Sequence, residues 1–148
     1  LQTAEPAVYI IGWTYTERFD YVQSQNDSWN TITAWNTDEV GEFYYRNMHS
    51  QYLDKLSSLM SISLVLQQLQ AQGQRFLMTY MDDLVFDTRW NTTPAISSLQ
   101  GYCEPYMTRF DGKSFLEYSK EKGFEISQTL HPLEAAHESA AELVYNLV

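Results

Sequence analysis

The sequence of 148 residues contains little cysteine and few basic residues. Its single cysteine, Cys103, excludes an internal disulfide and every multi-cysteine metal motif, and it favours a reducing, cytoplasmic location. Nine Lys and Arg residues against nineteen Asp and Glu residues give a formal net charge of −10, which argues against a protein that binds nucleic-acid phosphates. The apolar runs are far shorter than the roughly 20 residues that span a bilayer. We therefore expect no nucleic-acid partner, no membrane partner, and no metal or other cofactor.

What the sequence does contain is a large apolar and aromatic fraction. Hydrophobic residues make up 44% of the chain and aromatic residues 15%, so the chain is not disordered as a whole. Its length fits one domain, and we predict a single α/β domain over residues 1–148. Because a buried strand is predicted almost directly after Leu1, we interpret the chain as N-terminally truncated; the alternative is a processed protein.

Two short apolar runs predict parallel strands. Residues 7–13 (AVYIIGW) have the pattern of a strand buried on both faces, and residues 75–81 (RFLMTYM) form the second run. Between them, residues 38–72 carry apolar side chains at helical spacing. They predict a long helix with a candidate break at residues 47–50 and an end at Gly73. A strand–helix–strand crossover of this kind makes the two strands parallel neighbours.

The remaining segments are less uniform. Residues 14–36 are polar and aromatic without proline or glycine, and they predict a functional loop, a pair of short strands or a packed surface flap. Three further helices are predicted: from Pro94 to about residue 100, from the capping box at Ser114 to Gly123, and from Pro132 to the C-terminus. A short strand is predicted at residues 124–127.

Polar residues follow the predicted strands, at the edge where sites form in open α/β sheets. Trp13 and Thr14 follow the first strand, Asp82 the second, and His131 the last. A histidine on a loop before a helix is well placed to act as a general base; the alternative is an ordinary surface histidine. Arg18 is the candidate for holding an anionic or carbonyl-bearing ligand through two hydrogen bonds, or else forms a surface salt bridge with Glu17 or Asp20.

The other histidines and the cysteine give weaker signals. His137 lies on the apolar face of the last predicted helix, which favours a core or interface histidine. Nothing in the polar sequence around His49 indicates a functional role. The spacing of the three histidines gives no metal-site pattern. Cys103 is interpreted as packing.

Several stretches resemble a known family in their order along the chain: VYIIGWTYTERFD, RFLMTYM and SFLEYSKEKGFEISQTLHPLEAAHESAAELV. Together they resemble the C-terminal two-thirds of SGNH/GDSL-type hydrolase-like proteins, particularly small ones of phage and marine-bacterial type. The resemblance implies a flavodoxin-like, three-layer α/β/α sandwich with a parallel sheet. It also implies that the block with the serine nucleophile lies upstream of Leu1.

The match to the family motifs is partial. His131, followed by Pro132, resembles the late D-x-x-H-P block, in which the histidine is the base, but Gln128 stands where that block has its acid. Thr14 stands where the family's G-x-N-D block has asparagine. Glu17 and Arg18 lie in a segment that resembles a W-[ST]-x-x-x-R motif of the phage-type subgroup.

The resemblance implies an ester or acyl hydrolase that acts on a small molecule or an O-acylated glycan. His131 would be its general base, and the candidate binding residues are Trp13, Thr14, Glu17, Arg18 and Asp82. The alternative, favoured by Gln128, is a non-catalytic module on the same fold. It would bind carbohydrate by stacking on Trp13, Tyr15, Trp29 and Trp35, or serve as a phage-associated structural protein. An unpaired edge at the first strand predicts a homo-oligomer.

Overall fold

The computed structural model describes residues 7–36 and 38–147. Within them, the chain forms a mixed α/β arrangement, in which three strands are followed by two helices, a fourth strand and three further helices, and this agrees with the predicted class. The strands are β1 (Val8–Trp13), β2 (Phe19–Gln23), β3 (Ser28–Ile32) and β4 (Arg75–Tyr80). The helices are α1 (Glu39–Asn47), α2 (Gln51–Ala71), α3 (Pro94–Cys103), α4 (Phe115–Glu121) and α5 (Glu134–Tyr145), with 3₁₀ turns at Asp83–Val85 and Glu104–Tyr106.

Strands β1 and β4 form a parallel pair, as predicted. Ile11 pairs with Met78 and Trp13 with Tyr80, so these four side chains lie on one face of the sheet. That face contributes to the main hydrophobic core, together with buried leucine and isoleucine side chains of α2. Because the two strands end in the same direction, the loops after Trp13 and Tyr80 leave the sheet at one edge.

The prediction that β1 is buried on both faces is wrong. Tyr9 is 45% exposed and Ile10 is 57% exposed. Ile10 alternates with Ile11 and therefore lies on the face of the sheet away from the main core. β1 is also an edge strand, because it pairs only with β4 within the described part of the chain. Such an edge favours association. The predicted homo-oligomer stays a prediction.

The predicted break in the long helix is confirmed. α1 begins after Asp38, whose carboxylate accepts hydrogen bonds from the backbone N–H groups of Val40 and Gly41. α2 begins after Ser50, whose hydroxyl accepts from the N–H of Leu53. The chain leaves α2 through Gly73, which has a φ of +61° and therefore adopts the left-handed conformation that glycine tolerates best.

Residues 14–36 contain a β-hairpin, so the alternative of two short strands is the correct one. β2 and β3 pair antiparallel, and the hairpin rests on α1. The rings of Phe19 and Tyr44 are stacked, with centroids 4.5 Å apart, and the hydroxyl of Tyr45 donates to the backbone carbonyl of Glu17 at 2.7 Å. These contacts fix the segment between β1 and β2.

Two predictions near the C-terminus need correction. Residues 124–127 form no strand; a single antiparallel bridge joins Ile126 to Pro132. The chain turns back sharply between them because Leu130 adopts a φ of +63°. Pro132 is taken up in this bridge, so α5 begins two residues later, at Glu134.

The predicted burial differs in its outcome between His137 and Cys103. His137 is exposed on α5, where its ring lies edge-on to that of Phe115 at a centroid distance of 4.9 Å, so a core position is wrong. Cys103 is fully buried in the main core, with its Sγ 3.9 Å from the carbonyl oxygen of Leu59. Burial raises the pKa of its thiol to about 11. Its predicted packing role is confirmed.

Candidate functional site

A cavity of about 560 Å³ opens at the edge of the sheet where β1 and β4 end. Five of the predicted site residues line it: Thr14, Glu17, Arg18, Asp82 and His131. They come from the loop after β1, the loop after β4, and the turn before α5. A cavity of this size is typical of small-molecule sites. We call it the first cavity.

Trp13 does not reach the first cavity. Its side chain is partly buried against the main core, on the same face of the sheet as Tyr80. The alternation of side chains along β1 explains this placement, because a residue and its successor point to opposite faces. Trp13 instead lines a second cavity, described below.

A chain of hydroxyl groups orients His131. Its ring Nδ1 lies 3.1 Å from Oγ1 of Thr129, and that hydroxyl lies 3.1 Å from Oγ of Ser127. Ser127 also accepts the backbone N–H of His131 at 3.0 Å. The partner of the imidazole is therefore a neutral hydroxyl, two residues before His131, rather than the carboxylate that the related motif has three residues before it. A hydroxyl fixes the direction of the ring without placing a negative charge beside it.

Tyr15 holds the turn that carries His131. Its hydroxyl donates to the backbone carbonyl of Leu130, and its ring meets the edge of the imidazole of His131 at a centroid distance of 5.4 Å. Burial, together with the negative charge of Asp82, raises the pKa of Tyr15 to about 12. The hydroxyl therefore remains protonated and able to donate at neutral pH. The sequence indicated Tyr15 only as a stacking surface.

Asp82 is a carboxyl group of the first cavity with a strongly raised pKa. One of its oxygens accepts the backbone N–H of Leu84 at 2.9 Å, which caps the 3₁₀ turn after β4. Burial raises its pKa to about 6, and the charges of Glu17 and Asp83 act in the same direction. A carboxyl group that titrates near neutrality can release or take up a proton at the working pH of most enzymes.

Arg18 is already engaged within the protein. Its Nε lies 3.2 Å from a carboxylate oxygen of Asp20, and a terminal nitrogen donates to Oγ1 of Thr31 at 3.2 Å. The predicted alternative, a salt bridge to Asp20, is thus present. Arg18 still lines the first cavity, but part of its hydrogen-bonding capacity is used by the hairpin.

Lys55 anchors the loop that follows Asp82, a role that was not predicted from the sequence. This lysine of α2 is fully buried, and its ammonium group donates to the backbone carbonyls of Asp87 and Trp90. It also lies over the ring of Trp90, 4.5 Å from the centroid. A signal existed: Lys55 lies four positions before Leu59, on the apolar stripe of a predicted helix, where a charged group needs a specific partner.

A second cavity, also of about 560 Å³, lies on the other side of the segment after β1. Thr14, Tyr15 and Arg18 line both cavities. The rest of the second cavity is formed by the hairpin, α1 and α2, and its lining includes many apolar side chains. No sequence pattern predicted this cavity, because it depends on how the hairpin packs on the helices.

His49 also lies in a specific environment. Its Nε2 lies 2.8 Å from a carboxylate oxygen of Asp54, close to the rings of Tyr44 and Tyr45. Burial raises the pKa of Asp54, whereas His49 acts to lower it. This pair joins the end of α1 to the start of α2, and Asp54 lines the second cavity.

The part of the chain that the structure describes was compared with the patterns of a metal-ligand cluster and of a membrane-spanning helix, and it contains neither. No three His, Cys, Asp or Glu side chains there are grouped so that they could hold a metal ion. No helix within residues 7–36 and 38–147 has the length and apolar character needed to cross a membrane. Comparison of the chain with protein-family models, with curated proteins and with solved structures gives no match in any of the three.

Proposed function

We propose that the first cavity is the active site of an ester or acyl hydrolase in which His131 is the general base. The observation that carries this proposal is the position of His131. Its ring is oriented at Nδ1 by Thr129 and lies in one cavity with Thr14, Arg18 and Asp82, beyond the carboxyl ends of two parallel strands. A base in a substrate-sized cavity needs this kind of fixed orientation.

The charges of the first cavity favour a neutral substrate. Five carboxylates line it, from Glu17, Asp82, Asp83, Asp87 and Glu117, against three cations, from Arg18, Arg89 and Lys120. Each of the cations is paired with a carboxylate. An anionic substrate would meet an excess of negative charge, whereas a neutral ester such as an O-acylated sugar would not.

In the proposed reaction, His131 takes the proton of a serine hydroxyl while the serine oxygen attacks the ester carbonyl. The hydroxyl of Thr14 helps to hold the resulting oxyanion, and His131 then returns the proton to the leaving alcohol. Water releases the acyl group in a second, equivalent step. The described residues that line the first cavity include no serine or cysteine. The nucleophile in this proposal is a serine N-terminal to Leu1, as the family resemblance implies.

The proposal includes a specific type of α/β fold. A flavodoxin-like, three-layer sandwich would extend the parallel pair β1 and β4 with further parallel strands, and the nucleophile would follow one of them. The open edge of β1 and the parallel bridge between Met78 and Met107 on the far side of β4 are both compatible with a wider sheet.

The test uses the gene product that includes the coding sequence upstream of Leu1. Hydrolysis of p-nitrophenyl acetate and p-nitrophenyl butyrate is measured for the wild type, His131→Ala and His137→Ala. Both histidines are exposed, but only His131 lines the first cavity, so His137→Ala is the matched control. We expect a loss of at least 100-fold in kcat/KM for His131→Ala and less than a threefold change for the control. Equal turnover in the wild type and His131→Ala would overturn the proposal.

Carbohydrate binding without catalysis is the second candidate. Trp35 lines the first cavity with 57% of its surface exposed, next to carboxylates and threonine hydroxyls, which suits stacking on a sugar ring. Calorimetric titration with acetylated xylo-oligosaccharides separates the two functions. In a binding module, Trp35→Ala abolishes binding, and neither the wild type nor His131→Ala shows turnover.

A further inference from the structure

We propose that the second cavity binds the apolar chain of a neutral ester, so that the substrate carries a medium-length acyl or alkyl group. This inference rests on the proposed function only for the ester bond that would be cleaved. The binding site itself depends on contacts that are independent of His131. Its volume, about 560 Å³, is within the range of sites that enclose small organic ligands.

The walls of the second cavity are apolar and partly open to solvent. Phe19 and Tyr44 form one wall as a stacked pair, and Ile62 and Val85 belong to the buried core behind it. Phe19 itself is 39% exposed, and two further apolar lining residues lie toward the solvent: Met48 is 61% and Leu53 53% exposed. Exposed apolar side chains that gather around one cavity mark a binding surface, and a methionine adapts readily to ligands of different shape.

Two buried polar atoms beside these walls lack a partner. Oγ1 of Thr16 and Nε1 of Trp13 make no hydrogen bond to any described residue, and Thr16 is only 6% exposed. The indole N–H of tryptophan can only donate, so the group that would satisfy it is an acceptor oxygen. An unpaired donor buried in a protein is unfavourable, and a small shift of the side chain toward a bound carbonyl oxygen would remove that cost.

The charged residues of the second cavity specify a neutral acceptor. Asp20 and Asp54 line it, and the one cation, Arg18, is paired with Asp20. A fatty-acid carboxylate would face these two acids without a free cation among the described lining residues. A neutral ester or ketone offers the same acceptor oxygen without the charge. The ligand that fits is therefore an apolar chain with one neutral carbonyl group.

The two cavities are adjacent, which allows one molecule to occupy both. Thr14, Tyr15 and Arg18 form their common wall, and His131 lies on the side of the first cavity. An ester bond placed over Thr14 would leave its polar part near Asp82 and its apolar chain between Phe19 and α2. Acylated sugars with chains longer than acetyl have this composition.

Binding is tested on the 148-residue chain by NMR, with methyl hexanoate as the probe and sodium hexanoate as its charged counterpart. The indole N–H signal of Trp13 is assigned by its loss in Trp13→Phe. We expect methyl hexanoate to shift this signal saturably and hexanoate to bind at least tenfold more weakly. Absence of a saturable shift of the Trp13 signal, or equal affinity for the two probes, would overturn the inference.

A variant with a bulky side chain in the second cavity, together with a matched control, tests where the probe binds. Ser58 lines the second cavity from α2, so Ser58→Phe should weaken methyl hexanoate binding at least tenfold. Ser98→Phe makes the same change at an exposed position of α3 and should leave binding within twofold. Ser61→Phe, also in the lining, replaces Ser58→Phe if circular dichroism shows that the latter is unfolded. Equal binding by the filling variant and the control would assign the probe to another surface.

The outcomes also separate this inference from the hydrolase proposal. His131→Ala should lose turnover and keep methyl hexanoate binding, because His131 does not line the second cavity. Loss of turnover in His131→Ala without any shift of the Trp13 signal would remove the second site alone. A saturable shift with turnover that is independent of His131 would remove the hydrolase mechanism and leave the apolar site standing.

Discussion

The hydroxyl of Tyr15 donates a hydrogen bond to the backbone carbonyl of Leu130, 115 positions later in the chain. The contact joins the loop after β1 to the turn before α5, and the same tyrosine ring supports the imidazole of His131. Two distant parts of the sequence are thereby fixed at one side of the first cavity. The position of His131 therefore depends on this link as well as on its neighbours in sequence.

Tyr15→Phe removes this hydrogen bond and leaves the ring in place. We expect the free energy of unfolding to fall by about 1 kcal/mol, the usual contribution of one such bond. In the longer gene product, kcat/KM should fall while the pH optimum is retained, since the base itself is unchanged. Urea denaturation and ester hydrolysis measure the two effects. Tyr145→Phe, at a tyrosine that is 80% exposed, is the control, and an equal loss of stability in both variants would contradict the role of Tyr15.

Thr129→Val tests the hydroxyl that orients His131. The change keeps the shape of the side chain and removes the partner of Nδ1, so we expect kcat/KM to fall about tenfold, equivalent to roughly 1.4 kcal/mol. Thr129→Ser should restore most of the activity because it returns a hydroxyl. Thr129 is exposed, so the stability of either variant should change by less than about 0.5 kcal/mol. A valine variant with wild-type activity would show that the hydroxyl has no role in orienting the base.

Asp82→Asn tests the raised pKa of Asp82 through stability. The unfolded chain has the ordinary value of 3.8 and the folded protein a value of about 6, so the folded state binds the proton more tightly. The stability of the wild type therefore falls as the pH rises from about 4 to about 6, and the penalty is fully present above that range. Asparagine keeps the cap on the turn at Leu84 and has no charge to bury.

The expected result is a pH-dependent gain for Asp82→Asn. Urea denaturation should show the variant to be more stable than the wild type by about 2 kcal/mol at pH 8, with a difference that shrinks toward zero below pH 4. Glu125→Gln, at an exposed acid outside both cavities, should stay within about 0.5 kcal/mol of the wild type at each pH. A gain that does not depend on pH would rule out ionisation of Asp82 as its cause.

Lys55→Met tests the anchor of the loop after β4. Methionine fills a similar volume but removes the ammonium donor from the carbonyls of Asp87 and Trp90, which keep only the longer hydrogen bonds from Gln100 and Thr92, so we expect a loss of about 2–4 kcal/mol. Lys113→Met removes one partner of a half-exposed ion pair with Glu121 and should cost less than about 1 kcal/mol. Urea denaturation measures both. Similar small losses in the two variants would mean that the buried ammonium does not hold the loop.

Local patterns in the sequence were enough to predict the parts of the fold that depend on local chemistry. The parallel pair, the break between α1 and α2 and the turn at Gly73 follow from periodicity, capping and the conformational freedom of glycine. The exposure of Ile10 could not be predicted in this way, because it depends on which elements cover β1. The start of α5 was displaced for a similar reason: Pro132 pairs with Ile126 across a turn that no local pattern specifies.

The candidate site, like the fold, could be predicted from the sequence only in part. The position of Thr14 and Asp82 at one edge of the sheet follows from topology, because the loops after the parallel strands β1 and β4 leave the sheet at that edge. The position of His131 in the same cavity does not follow from this rule, because residues 124–127 form no strand. The contacts that orient His131 could not be predicted either, since Tyr15 is far from His131 in sequence and Thr129 replaces an acid that the resemblance places elsewhere. Burial of Asp82 and Lys55 likewise depends on the packing of the loop between β4 and α3.

Because Cys103 is buried, the reactivity of its thiol reports on local opening of the main core. A thiol with a pKa of about 11, fully enclosed between α2 and α3, reacts with alkylating reagents only when these helices separate. Because the sequence contains no other cysteine, the labelling rate in native buffer measures that opening equilibrium directly, without an engineered probe. A second cysteine placed beside either cavity would then be labelled selectively, while Cys103 stays protected.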